Sequence, residues 1–273
     1  MKKTKFTFII AILLFGAICS CESEQNKTRI PLGTEKSTSS NLNDVLSYSN
    51  NLNEAYHNRE YVTTLYLPQY NHNTLSDSIT ALSRLQIIEI RNASKLDFKD
   101  TFQKLGLLPK LNDIKIVNSR LKALPIQVYL MDELRRLSID DDSLSFIPDD
   151  LKLSDSLVEL KLSRNIRNLV FNKSYRYIRE LDLSNNPELK KVDSSIIELK
   201  NLEELNLQNT AISDLPDEVT KLKKLKIIKL AGTPLGEAEH NHLKKTQSFN
   251  KLLPLFESNP DLKVYLGVKM EYE

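Results

Sequence analysis

Few residues in this chain have the types and spacing that chemistry needs. Only two cysteines occur, Cys19 and Cys21, both near the amino terminus. Their position excludes an internal disulfide framework, a four-cysteine zinc site and a cysteine nucleophile in the body of the chain. His240-x-His242 is the one close histidine pair. Two imidazoles at i and i+2 of a helix face different ways, so the pair does not make a metal site by itself. His57 and His72 stand alone and read as surface polar residues. Asp140-Asp141-Asp142 is an acidic run. A calcium ion takes about six to eight oxygens from several segments, so the run reads as a solvated edge. No nucleophile elbow, zincin helix, phosphate loop or dinucleotide fingerprint is present. The expectation is a chain that is not an enzyme and takes no cofactor and no metal.

The elements around these residues are more informative. Of 273 residues, 40% are apolar and 27% charged, enough apolar character for a sizeable packed core. Leucine fills roughly one position in six. The formal net charge of +2 falls close to zero without Lys2, Lys3 and Lys5. A near-neutral chain lacks the basic face of an obligate nucleic-acid binder, so no nucleic-acid partner is expected.

Lys2, Lys3 and Lys5 precede an apolar run from Phe6 to Ile18. As a helix this run reaches about 20 Å, short of the roughly 30 Å hydrocarbon core of a bilayer. It reads as a secretory segment rather than a resident span. The run closes on Ile18-Cys19-Ser20-Cys21, which resembles the lipobox of bacterial lipoproteins. Cys21 fits the acceptor because small Ser20 precedes it; Cys19 does not, because bulky Ile18 would stand at the cleavage position. The resemblance implies cleavage after Ser20, lipidation of Cys21 and anchoring to the bacterial outer membrane. Glu22-Ser23-Glu24 resembles a surface-export signal of some diderm bacteria and also suits the start of a solvated linker. Residues 22–41 are polar and read as a tether.

Internal repetition decides the fold. Leu157-x-x-Leu160-x-Leu162-x-x-Asn165 and Ile178-x-x-Leu181-x-Leu183-x-x-Asn186 share one frame. So do Leu202/Leu205/Leu207/Thr210, Leu225/Ile228/Leu230/Thr233, Leu134/Leu137/Ile139/Asp142, Leu111/Ile114/Ile116/Ser119 and Leu85/Ile88/Ile90, with a weaker copy at Val62/Leu65/Leu67. The period is about 21 to 26 residues. A second half recurs as Leu124-Pro125-x-x-Val128, Ile147-Pro148-x-x-Leu151 and Leu215-Pro216-x-x-Val219. These motifs resemble the leucine-rich repeat family over roughly residues 62–266. The implied fold is an α/β, curved leucine-rich repeat solenoid with a concave parallel β-sheet and helical caps at both ends. Alternating apolar residues point inward and stack on the next coil, because one coil cannot bury them alone. The Asn slot can bond the backbone of neighbouring coils. Ser119, Asp142, Thr210 and Thr233 can partly replace it, whereas Tyr70 and Ala93 make the first two coils the least regular. Phe98, Phe102, Leu105 and Leu108 predict a helical turn in the long unit, and the short unit at 172–177 predicts a nearly extended return.

The expected organisation is a signal peptide at 1–20, lipidated cysteine and linker at 21–40, and an amino-terminal helical cap at 41–61. About eight repeats follow at 62–235, then a carboxy-terminal cap at 236–273 made of a helix through Ser258, a stop at Asn259-Pro260 and a last strand at 262–266. That tail is too short for a further enzymatic domain.

Outward strand residues form columns across the repeats. One column runs Arg136, Glu159, Glu180, Glu204, Ile227, with Arg135 and Arg179 on one side and Lys161 and Lys229 on the other. Stacked carboxylates repel, so the strip is either a self-compensated lattice on a solvated face or a docking strip for a cationic protein or peptide. The candidate contacts are Glu159, Lys161, Glu180, Asp182, Glu204 and Asn206. Eight strands about 4.8 Å apart and about five residues long give a flat face near 550 Å². That approaches the roughly 800 Å² per partner of a standard interface. The function expected is binding of a protein or peptide by an envelope-anchored lipoprotein; the alternative is a non-catalytic structural or scaffolding component of the envelope.

Overall fold

In the LxxLxL frame, the two residues that share a strand face with the core are hydrophobic in every unit, and each strand hides them only by lying beside another. The computed structural model describes residues 47–140, 144, 147–149, 151–164, 166–246 and 250–267. Among these, ten parallel strands form one open sheet in strict chain order. They are β1 (Tyr48–Ser49), β2 (Thr64–Leu67), β3 (Ile87–Arg91), β4 (Asp113–Val117) and β5 (Arg136–Asp140). β6 (Glu159–Ser163), β7 (Glu180–Asp182), β8 (Glu204–Asn206), β9 (Ile227–Lys229) and β10 (Lys263–Tyr265) complete the sheet. Four helices are described: α1 (Leu52–His57), α2 (Phe98–Leu105), α3 (Pro234–Thr246) and α4 (Leu253–Ser258).

Register follows the repeat. Leu137 pairs with Leu160, Leu160 with Leu181, Leu181 with Leu205 and Leu205 with Ile228, and each of these is 1% exposed or less. Every neighbour pair is thus in phase, with the apolar set on the core face.

Past β3, β4 and β6 to β9 the chain turns through one residue in left-handed backbone: Asn92, Asn118, Arg164, Asn185, Asn209 and Gly232, with φ between 47 and 69°. Asparagine tolerates this region better than other side chains. It also builds a ladder, with Asn118 Nδ2 donating to Asn92 Oδ1 at 2.8 Å and Asn209 Nδ2 to Asn185 Oδ1 at 2.9 Å. A Cβ on Gly232 would stand 2.4 Å from Asn209 Oδ1, so the ladder's last member has room only for glycine. The next residue inward is the Asn slot. Asn186 is fully buried, donates to the carbonyls of Leu162 and Leu183 at 2.8 Å, and accepts from Ile166 N–H at 2.9 Å. Thr210 and Thr233 each bond a carbonyl three residues back, and Ser119 Oγ serves the Ala93 N–H of the preceding coil. Asn165 and Asp142 lie outside the described residues.

The first two coils are more regular than the sequence suggests. β2 and β3 pair over four residues, and the Tyr70 hydroxyl donates to Thr74 O and accepts from Ser76 N–H. The phenol thus supplies the donor and acceptor that an asparagine would.

The returns are short 3-10 turns, at Asp77–Ala81, Ile126–Leu130, Ser194–Glu198 and Asp217–Lys221, with α2 in the long unit. The short unit is not extended, contrary to its length: Lys173–Tyr177 is also a 3-10 turn, capped by Asn172. Its shortage falls after the turn. Other units bury two apolar residues there, Leu199 with Leu202 or Leu222 with Leu225; here Ile178 alone serves. Fully buried Tyr175, edge-on to Phe171 at 5.4 Å, fills the remaining volume.

The ends differ from the two long helices expected. At the amino end, strand β1 precedes the brief α1, whose Ala55 is buried while Tyr56 is exposed; Leu42 and Leu46 lie outside the described residues. At the carboxy end two helices, α3 and α4, replace one. Glu239 of α3 is 1% exposed, and its carboxylate accepts the N–H groups of Asn250 and Lys251 at 2.9 and 2.8 Å. Glu239→Ala should leave both donors unpaired and destabilise the chain by about 2–4 kcal/mol in chemical denaturation. The same change at exposed Glu237 should stay within about 0.5 kcal/mol.

Candidate functional site

The outward face of the sheet carries the side chains that alternate with the core leucines. The column is as the frame requires: Asp113, Arg136, Glu159, Glu180, Glu204 and Ile227 are successive cross-strand partners. The next outward column runs Lys115, Ser138, Lys161, Asp182, Asn206, Lys229.

Most charges on this face are already satisfied. Arg136 Nε meets Asp113 at 2.8 Å, Lys161 meets Asp182 at 3.5 Å, and Lys229 meets Glu204 at 2.7 Å. Arg164 holds Asp140 at 2.8 Å, and Glu203 takes both Arg179 and Lys226 at 2.5 Å. Glu89 pairs with Arg91 and, at 3.8 Å, with Lys115. Asp182 Oδ1 accepts from Ser184 N–H and Asn206 Oδ1 from Gln208 N–H, so both also brace the turns behind them.

Two carboxylates remain. Glu159 and Glu180 face each other across neighbouring strands, and among the described residues neither forms an ion pair. Glu159 is half-buried, and burial, with Glu180 next, pushes its carboxyl above the ordinary glutamate range against the pull of Arg136 and Lys161. Like charges directly opposite on a sheet destabilise it by a few tenths of a kcal/mol or more. A cation placed between them would remove that repulsion. Of the six residues that the sequence singles out, the structure therefore leaves Glu159 and Glu180 open. It ties Lys161, Asp182 and Glu204 into ion pairs and Asn206 into a turn.

Aromatic residues sit at the ends of this face, which the repeat frame alone does not reveal beyond Tyr66. Arg91 lies over the Tyr66 ring at 5.8 Å, and Tyr48 and Tyr265 stand exposed on the first and last strands.

The other candidates do not converge. Asp140 is held by Arg164 and Ser163 Oγ; Asp141 and Asp142 lie outside the described residues. His57 Nδ1 is 2.7 Å from Asn53 O, and His72 packs edge-on to Tyr70. Among the described residues, no group of three or more His, Cys, Asp or Glu could hold a metal ion.

Comparison with known proteins agrees with the geometry. Residues 176–235 match the family model described as Leucine rich repeat. Tsukushi of Gallus gallus is 34% identical over 131 residues, covering 45% of this chain and 35% of that protein. A probable disease resistance protein of Arabidopsis thaliana is 35% identical over 103 residues, covering 37% of this chain and 13% of that one. The chain thus spans about a third or less of these relatives. The structure of the Toll–Spatzle complex of Drosophila aligns at a TM-score of 0.56 with 16% identity, over 65% of this chain and 25% of that one. The fold is a leucine-rich repeat solenoid, a class of domain that commonly mediates protein–protein interaction.

Proposed function

We propose that this chain is an envelope-anchored lipoprotein that binds a protein partner through the outward face of its sheet, gripping a cationic side chain between Glu159 and Glu180. The observation that carries the reading is the contrast on that face: neighbouring Arg136, Lys161, Asp182 and Glu204 are held in ion pairs, and these two carboxylates are not. A solvated lattice under no other demand would pair them as well. Lys161, Asp182, Glu204 and Asn206 form the surrounding rim. Ile18-Cys19-Ser20-Cys21 supports lipidation at Cys21 and a place in the bacterial outer membrane, with the polar segment after it as a tether.

The test is charge reversal at both positions. Glu159→Lys with Glu180→Lys should leave thermal unfolding within a few degrees of the parent, because both side chains point away from the core. Binding of an arginine-rich peptide should weaken by about tenfold or more and lose its steep dependence on salt. Equal affinity and equal salt slope for parent and variant would sink the reading.

A further inference from the structure

A second surface lies on the other side of the coil, where the long unit meets the next one. α2 ends its unit, and the chain from Leu121 to Gln127 begins the following return. Between them runs a groove of about 490 Å³. Buried Phe98, Leu121 and Leu124 form its floor, and Pro125 and Ile126 form a wall. Ile126 is 54% exposed and Tyr129 is 50% exposed. In a 3-10 turn side chains at i and i+3 eclipse, so these two extend one apolar ridge beside the groove.

Cations outnumber the free acids around it. Lys99 and Lys122 line the groove, and Lys95 and Arg120 stand on the adjacent turns. Those turns are stacked, since Ala93 N–H bonds Ser119 Oγ. All four cations are exposed, and none forms an ion pair among the described residues. The nearby acids are already engaged: Asp97 caps α2 through the N–H groups of Lys99 and Asp100, and Asp100 pairs with Lys104 at 2.9 Å. This differs from the sheet face, where Arg136, Lys161, Arg179, Lys226 and Lys229 each meet a carboxylate.

We propose that this groove docks an acidic amphipathic segment of a protein partner, with an apolar side chain on the Phe98–Leu124 floor and carboxylates on Lys99 and Lys122. Charge complementarity chooses the sign of the partner, and shape chooses its class. The groove is lined by buried Phe98, Leu121 and Leu124 beside exposed Ile126. A protruding side chain reaches it, whereas a lipid surface meets only the ridge. The site is independent of the Glu159–Glu180 strip, and its partner has the opposite charge.

The full chain carrying Cys21→Ser removes any lipid anchor from the measurement. A panel of fluorescent peptides with leucines at helical spacing and glutamates elsewhere is titrated against it. Companion peptides replace the leucines by alanine or the glutamates by lysine, and phosphatidylglycerol vesicles form a further arm. The acidic leucine peptides should bind, their affinity should fall with salt, and both companions should fail. Lys99→Glu with Lys122→Glu should weaken binding by about tenfold or more with an unchanged circular dichroism spectrum. Glu159→Lys with Glu180→Lys should leave it intact. The proposal is overturned if no acidic leucine peptide binds, if the alanine peptides bind as well, or if the Lys99/Lys122 variant matches the parent. It is overturned equally if the vesicles bind and the peptides do not.

Discussion

Leu181→Ala should destabilise the chain by about 2–5 kcal/mol, and Leu181→Asp should leave no cooperative native state at ambient temperature. Leu181 is 1% exposed and lies in register between Leu160 and Leu205, so its side chain is walled by the same position of the coils on either side. Truncation opens a void that the strands cannot close, because each is fixed by its ladder to the next. An aspartate there would lose its hydration with no lysine or arginine among the described buried residues to receive it. Position amplifies the effect. A solenoid has only nearest-neighbour interfaces, so a fault in the middle of the stack uncouples the two sides. Chemical denaturation with two probes should therefore show separated transitions in the alanine variant, where the parent shows one. A loss below about 0.5 kcal/mol for Leu181→Ala, far under the usual core cost, would place the repeat frame out of phase.

That phase was the most legible part of the sequence. Apolar residues at fixed offsets set the strand positions, the inward set and the cross-strand partners, because a parallel sheet with one buried face permits no slip. The Asn slot was legible for the same reason: a polar side chain that bonds backbone recurs at one offset, with Ala93 the exception. The left-handed column of Asn92, Asn118, Asn185 and Asn209 was not, because it neighbours the slot and its signal merges with it. The short unit departs from the extended return expected of it because length alone does not say which positions a coil omits; Tyr175 and Ile178 show that it drops a core position and keeps its turn. At the candidate site the columns could be read, but the pairings could not. Whether Glu204 or Glu180 meets a lysine depends on side-chain reach, and Lys229 reaches only the former. The groove was invisible for a related reason. Its walls come from the helix of one unit and the return of the next, which no single repeat pattern places together.

If Cys21 carries the anchor, Cys21→Ala should abolish incorporation of a clickable fatty acid and move the chain from the membrane to the soluble fraction or leave it as uncleaved precursor. Cys19→Ala should do neither. The two residues differ only in what precedes them: Ser20 is small enough for a cleavage site before Cys21, and Ile18 is not. The expected effect is large because membrane affinity grows by about 0.8 kcal/mol for each buried methylene, so two or more acyl chains hold a protein in the membrane for its lifetime and none leaves it free. No described helix is long and apolar enough to cross a membrane. The stability of the repeat domain gives the internal control: purified Cys21→Ala protein should unfold at the same denaturant concentration as the parent, since the cysteine lies far outside the stacked coils in sequence. Retained lipid label in Cys21→Ala, or its loss in Cys19→Ala, would move the acceptor to the other thiol or remove the lipobox reading altogether.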